Sequence, residues 1–179
     1  WDKTFGGEGN ERASAIVNAG DGNFVIGGFS YSGISGYKTE DSRGQSDFWF
    51  LKIDANGNKI WDKRFGSNHD DECWSLIKTN DNCFLSGGFS RGVGGDRSQS
   101  SLANRDLWVV KFDQLGNKIW DKRFGGNSNE YCRHIIETSD NCFLLVGNSD
   151  SNNFVDSSGV NPDYNDAWII KIDETGNSS

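Results

Sequence analysis

Positive charge is scarce in this chain: 18 Lys and Arg stand against 26 Asp and Glu, a formal net charge of −8. A nucleic acid or an anionic membrane surface requires a basic face on its partner, so the balance argues against both. No apolar run approaches the roughly 20 residues of a membrane-spanning helix. The sequence contains no Gly-rich phosphate loop and no Cys-x-x-Cys metal pair, and only two histidines occur. Methionine is absent and the chain opens on Trp1; the expectation is a slice of a longer protein or a processed product. Proline occurs once against 23 glycines, which fits many short strands joined by Gly/Asn turns in an all-β domain. Hydrophobic residues reach only 34%, but an aromatic content of 13% with seven Trp is not that of a disordered chain. At 179 residues there is room for one ordinary domain.

What is present is a repeat. Trp1-Asp-Lys-Thr-Phe returns as Trp61-Asp-Lys-Arg-Phe and Trp120-Asp-Lys-Arg-Phe. Asp47-Phe-Trp49 returns as Asp106-Leu-Trp108 and Asp166-Ala-Trp168, each running on to a Lys (Lys52, Lys111, Lys171) and then a Gly-Asn turn. Asp21-Gly-Asn-Phe24 returns as Asp81-Asn-Cys-Phe84 and Asp140-Asn-Cys-Phe143. The units are 1–60, 61–119 and 120–179, and each reads as four strands forming two hairpins. The third strand is apolar at both alternating sets (Phe48 and Phe50, Trp49 and Leu51), so both of its faces should be covered. The fourth, with Trp61 and Phe65 opposite Asp62 and Arg64, should be outermost. Four-stranded units that need neighbours on both faces are propeller blades. The expected fold is therefore an all-β partial propeller of three four-stranded antiparallel blades. Trp1 to Phe5 reads as the fourth strand of a neighbouring blade, and unit three ends before its own. Closure then needs further blades of a longer chain or a second copy.

The strand ending in Gly27-Gly28 or Gly87-Gly88, the apolar strand closing on Asp54 or Asp113, and Trp61 or Trp120 seven residues on are together similar to a kelch blade. The stretch from Tyr31 through Asp47-Phe-Trp49 resembles the secreted propeller-type repeats common in Bacteroidetes, often exported by type IX secretion. Unit three departs from the pattern, with Val146-Gly147 for the Gly pair and Asn148 for Phe. The resemblance implies a secreted or cell-surface protein. The expected partner is a protein or a surface glycan, and from the motifs present no cofactor and no metal is expected.

Candidate chemistry is weighed against packing. Six Trp (1, 61, 120 and 49, 108, 168) recur at equivalent positions and are expected in the core. Trp74 alone breaks register, with Ser14 and Arg133 at the matching places. The recurring carboxylates Glu11, Asp71, Glu130 and Asp47, Asp106, Asp166 could form a glycosidic acid/base pair, but carboxylates repeated in every unit more often cap loop N–H groups. The Asp54 turn lacks the Gly and Glu positions of an EF-hand, and His69-Asp70-Asp71-Glu72 reads as a solvated loop. His134 is expected to pack in the core. The four cysteines obey the repeat, and strand spacing favours buried free thiols over in-blade disulfides. The long loops (Tyr31 to Ser46, Arg91 to Arg105, Asp150 to Asn165) diverge while the strands stay fixed, as binding loops on a rigid scaffold do. Their Tyr31, Tyr37, Glu40, Asp41, Asp96, Arg97, Asp163 and Tyr164, with Trp74, are the candidate ligand residues. The expected function is a non-catalytic scaffold or protein-interaction module; the alternatives are a lectin-like glycan-binding propeller and, third, a glycoside hydrolase.

Overall fold

The computed structural model describes residues 1–102, 104–152 and 165–178. It is all-β, with no helix among the described residues. The first sheet contains β1 (Glu11–Asn18), β2 (Phe24–Ser30), β3 (Asp47–Ile53) and β4 (Lys59–Phe65), and the second β5 (Asp71–Lys78), β6 (Phe84–Ser90), β7 (Asp106–Phe112) and β8 (Lys118–Phe124). The third contains β9 (Glu130–Glu137), β10 (Phe143–Ser149) and β11 (Asp166–Ile172). Each is an antiparallel meander with strands in chain order. The all-β repeat of antiparallel sheets is as expected, with four strands in the first two sheets and three described in the last, where unit three ends before a fourth. Residues 1–5 form no ladder within this chain, and no described strand lies beside them.

Turn chemistry sets the hairpins. The carboxylate of Asp54 accepts the N–H groups of Asn56 and Asn58, and Asp113 and Asp173 repeat the arrangement with Leu115 and Asn117, and with Thr175 and Asn177. In the first hairpin of each unit the residue after the turn Asp takes positive φ: Gly22 at 83°, and Asn82 and Asn141 at 64° and 58°. Asn tolerates the left-handed region better than other side chains. Across each sheet the third-strand lysine pairs with the Asp of that turn: Lys52 with Asp21, Lys111 with Asp81 and Lys171 with Asp140, at 2.6–2.8 Å.

The first strands of neighbouring sheets lie against one another and form the inner edge of the stack. Between the first two sheets, Val25, Phe48 and Phe50 pack on Cys73, Leu76, Phe84, Trp108, Val110 and Phe112. Between the second and third, Leu85, Leu107 and Val109 pack on Cys132, Ile135, Phe143, Ile170 and Ile172. β3 and β7 are buried along their whole length, as their apolarity on both faces requires, whereas β11 is half exposed. Of the tryptophans, Trp49 and Trp108 are buried and Trp61, Trp120 and Trp168 half-buried. Trp1, 76% exposed, is not a core residue. His134, expected in the core, is exposed: the equivalent Ser75 is buried against the third sheet, and no described sheet packs over His134. All four cysteines are free. Cys73 and Cys132 are buried, and burial pushes the Cys132 thiol up to about 12; Cys83 and Cys142, beside the turns, are only half-buried.

The inner strands each carry one β-bulge, at Ser14, Trp74 and Arg133, where two ladder partners skip a residue. The bulge presses a carbonyl against the second strand. A Cβ on Gly28 would lie 1.8 Å from the Arg12 carbonyl oxygen, on Gly88 1.8 Å from that of Glu72, and on Gly147 1.6 Å from that of Tyr131. This second glycine is therefore kept in all three units. The first has a different reason: a Cβ on Gly87 would meet Cys132 Sγ at 2.7 Å and Ile135 Cδ1 at 2.8 Å in the next sheet. Val146 occupies that place in the third sheet, where no described sheet follows, and is 39% exposed. Gly88→Ala is expected to cost more than the ~1–3 kcal/mol of ordinary overpacking, with Gly87→Ala inside that range. Urea unfolding checks the order, and equal costs would refute the distinction between backbone and side-chain obstruction.

Candidate functional site

The long loops and the connections between units emerge at the same end of the stack and bond to each other. Tyr31 N–H donates to the Asn10 carbonyl, Tyr37 N–H to Gly6, Arg91 N–H to Asp70 and Asp96 N–H to Gly66. Three sets of carboxylates hold this end. Glu11 accepts from Gly7 N–H and the hydroxyls of Ser30 and Ser32, and Glu130 accepts from Gly126 N–H, Ser149 and Ser151. Asp71, one methylene shorter, accepts from Ser67 N–H at 2.6 Å and from the Ser67 hydroxyl, which stands where the other units have glycine. Burial raises the Asp71 carboxyl to about 7 and that of Glu130 above its ordinary value. Asp47 and Asp106 accept from Arg43 and Leu102 N–H in their own loops. Asp62 and Asp121 accept the indole N–H of Trp49 and Trp108 and the loop N–H of Thr39 and Ser98. The capping expectation holds for these residues. Asp166 is exposed, and the loop before it lies largely outside the described residues.

Several candidate ligand residues are engaged inside the protein. Glu40 pairs with Lys63 and accepts Arg64 N–H, and Asp96 pairs with Arg43 and Arg64. Arg97 is fully buried, donating to Asp106 at 3.0 Å, to Ser90 and to the Gly92 carbonyl. Asp41 accepts the N–H of Ser42. Tyr37 stacks edge-on against Phe5 at 5.0 Å and is 46% exposed. Asp163 and Tyr164 lie outside the described residues. Lys38 occupies in the first loop the place of Arg97 in the second: each immediately precedes the residue whose N–H caps Asp62 or Asp121. Its Nζ and the facing Asp47 Oδ1 are buried without hydrogen-bond partners, and burial lowers the Lys38 ammonium and raises the Asp47 carboxyl.

Two of the candidates, Tyr31 and Trp74, fall on the inner edge. Trp74, on the bulge of β5, stacks on Tyr131 of β9 at 5.4 Å and 16°. The Arg133 guanidinium, on the bulge of β9, lies 4.1 Å over the Trp74 ring. Glu72 accepts the Trp74 indole N–H at 3.2 Å, and its carboxyl is raised by burial. Phe89 supports the pair from beneath, and Arg105 lies over Phe89 and donates to the Tyr131 hydroxyl. Beside this ladder is a polar cavity of about 500 Å³ lined by Asn10, Glu11, Arg12, Phe29, Tyr31 and Glu72. Sequence reasoning found Trp74 and Tyr31 but missed Glu72, Tyr131, Arg133 and Arg12. The signal was available: Arg12, Glu72 and Tyr131 share one repeat position and Ser14, Trp74 and Arg133 another. At both, the three units carry chemically unrelated side chains. No protein-family model matches the chain, and no curated protein matches it.

The two loop cations give a test of the internal reading. Lys38→Arg should supply the longer fork that Arg97 uses and raise Tm. Arg97→Lys should cost ~1–3 kcal/mol, since buried acceptors lose donors. Thermal unfolding of both variants checks this; a neutral Arg97→Lys would return Arg97 to the list of ligand candidates.

Proposed function

We propose that the chain is a non-catalytic, propeller-type interaction module of a secreted or cell-surface protein, recognising a protein partner through the inner edge of its sheets. The observation that carries this reading is the Arg133–Trp74–Tyr131 ladder. Trp, Tyr and Arg dominate the energetic centres of protein interfaces, and here Trp74 and Arg133 project from bulges on two adjacent inner strands, with Tyr131 stacked on Trp74 and a polar cavity beside. The repeated carboxylates support the non-catalytic part. Glu11, Asp71, Glu130, Asp47 and Asp106 each accept loop N–H groups, so their recurrence has a structural cause. The kelch-like likeness and the secreted compartment rest on the sequence pattern of the units.

A lectin-like role is the second reading, favoured by Tyr31, 43% exposed, beside Arg12 and Glu72 in one cavity. Glycoside hydrolysis is the third, and it would need two facing carboxylates free of structural bonds.

Selection of binding peptides by display, alongside a glycan array, separates these readings. Peptides selected on the wild-type chain are expected to lose about 30-fold in affinity on Arg133→Ala or Trp74→Ala, the ~2 kcal/mol of an interface centre. Glycan binding lost with Tyr31→Ala, without any peptide selected at the ladder, would put the lectin reading first. Binders indifferent to all three substitutions would refute the inner edge as the site.

A further inference from the structure

We infer that two copies of this chain associate head to tail, the outer face of the third sheet of each docking on the open face of the first sheet of the other. This rests on the propeller-type reading of the sheets but not on the ligand ladder at their inner edge.

The same kind of contact is made twice within the chain, which defines what the open faces fit. In each internal contact, three apolar residues of one sheet enter a set on the next: Val25, Phe48 and Phe50, then Leu85, Leu107 and Val109. At those repeat positions the third sheet presents Leu144, Ala167 and Ile169, with Ile169 63% exposed. The receiving positions, held by Cys73, Leu76, Val110 and Phe112 in the second sheet, are Ala13, Ile16, Leu51 and Ile53 in the first. These four line an apolar groove of about 470 Å³, and Ile16 is 61% exposed.

Side-chain size is matched across these two faces. Gly27 is crowded by Leu76, and Gly87 by Cys132 and Ile135, of the following sheet. The third sheet has the larger Val146 there. The first sheet has Ala13 where the others have Cys73 and Cys132, and Ile16 where they have Leu76 and Ile135. Docking of the third sheet on the first places the enlarged residue beside the reduced one, and Ile16, exposed in the single chain, is free to turn aside.

Residues 1–5 occupy the matching place for a strand. Trp1 covers the Gly57 turn as Trp120 covers the Gly176 turn. Lys3 Nζ donates to Asn58 at 3.0 Å as Lys122 Nζ donates to Asn177 at 3.1 Å. The segment therefore sits against the first sheet as β8 sits against the third. Docking brings it beside β11 of the second copy, where the pairing of Val109 with Lys122 and Lys111 with Trp120 becomes Ile169 with Lys3 and Lys171 with Trp1. Because the two faces differ, the contact is heterologous and closes only as a ring. Two copies of three sheets give six, within the four to eight that such rings hold.

Sedimentation equilibrium of the 179-residue chain reads this directly. The expected species is a dimer, twice 19.8 kDa. Ile16→Asp and Ile169→Asp should each raise the dimer dissociation constant at least about tenfold, from burying an unpaired charge. Both sites are already exposed in the single chain, so far-UV circular dichroism should stay unchanged. Ile119→Asp, at a residue 51% exposed on β8 away from both faces, should dimerise as wild type. A monomeric wild type, growth into open-ended polymers, or equal weakening by Ile119→Asp would each overturn the inference. Ligand binding by a monomeric wild type would do so while leaving the proposed function standing.

Discussion

Burying a carboxylate is expensive unless it is met by donors, and this chain sets one at the start of every inner strand, half-buried in Glu11 and fully buried in Asp71 and Glu130. Glu11, Asp71 and Glu130 each join three pieces of backbone: the connection arriving from the previous unit, the inner strand itself and the end of the second strand. The loop carboxylates Asp47 and Asp106 then fix the return into the third strand, and Asp62 and Asp121 tie the long loop to the indole of that strand. Sheet packing supplies most of the apolar burial, but it is non-directional. The carboxylates provide the register that makes one sheet follow the last in the same relation. The second unit shows how tightly the contact is specified. Its shorter Asp71 is accompanied by Ser67, whose hydroxyl reaches into the space the missing methylene leaves.

The strands, turns and sheet order were legible because they depend on local chemistry that recurs three times. Asp54, Asp113 and Asp173 bond their own following N–H groups, and the lysine of each third strand finds the turn aspartate of its own sheet. What was not legible depends on tertiary neighbours. The bulge at Trp74 has no local sequence sign; its trace is the glycine across the ladder, Gly88, kept for a carbonyl. Arg97 looks like an exposed loop cation in sequence, yet the loop folds over it and aims it at Asp106. Trp1 obeys the repeat but lacks the ladder that half-buries Trp61 and Trp120. Val146, read in sequence as a departure from the pattern, stands where no described sheet of this chain packs over it.

The same division separates scaffold from function. Positions fixed across the units are used in packing, capping and ion pairing, and Glu40, Asp96 and Arg97, charged residues of the divergent loops, are likewise engaged inside the protein. The variable positions that remain on ordered backbone converge on the inner edge, where a bulge turns Trp74 and Arg133 outward from strands too short to flex. A partner meeting that edge meets aromatic rings already stacked and a guanidinium already placed, with little ordering cost left to meet on binding.

The central claim is that buried carboxylates, rather than loop length or sequence, hold the loop end of each unit in place. Site-resolved amide hydrogen exchange tests it most directly. The N–H groups of Ser67 and Gly126, outside any strand but bonded to Asp71 and Glu130, should be protected like the strand amides beside them. Exchange at the rate of an open loop, with the strands still protected, would contradict the claim.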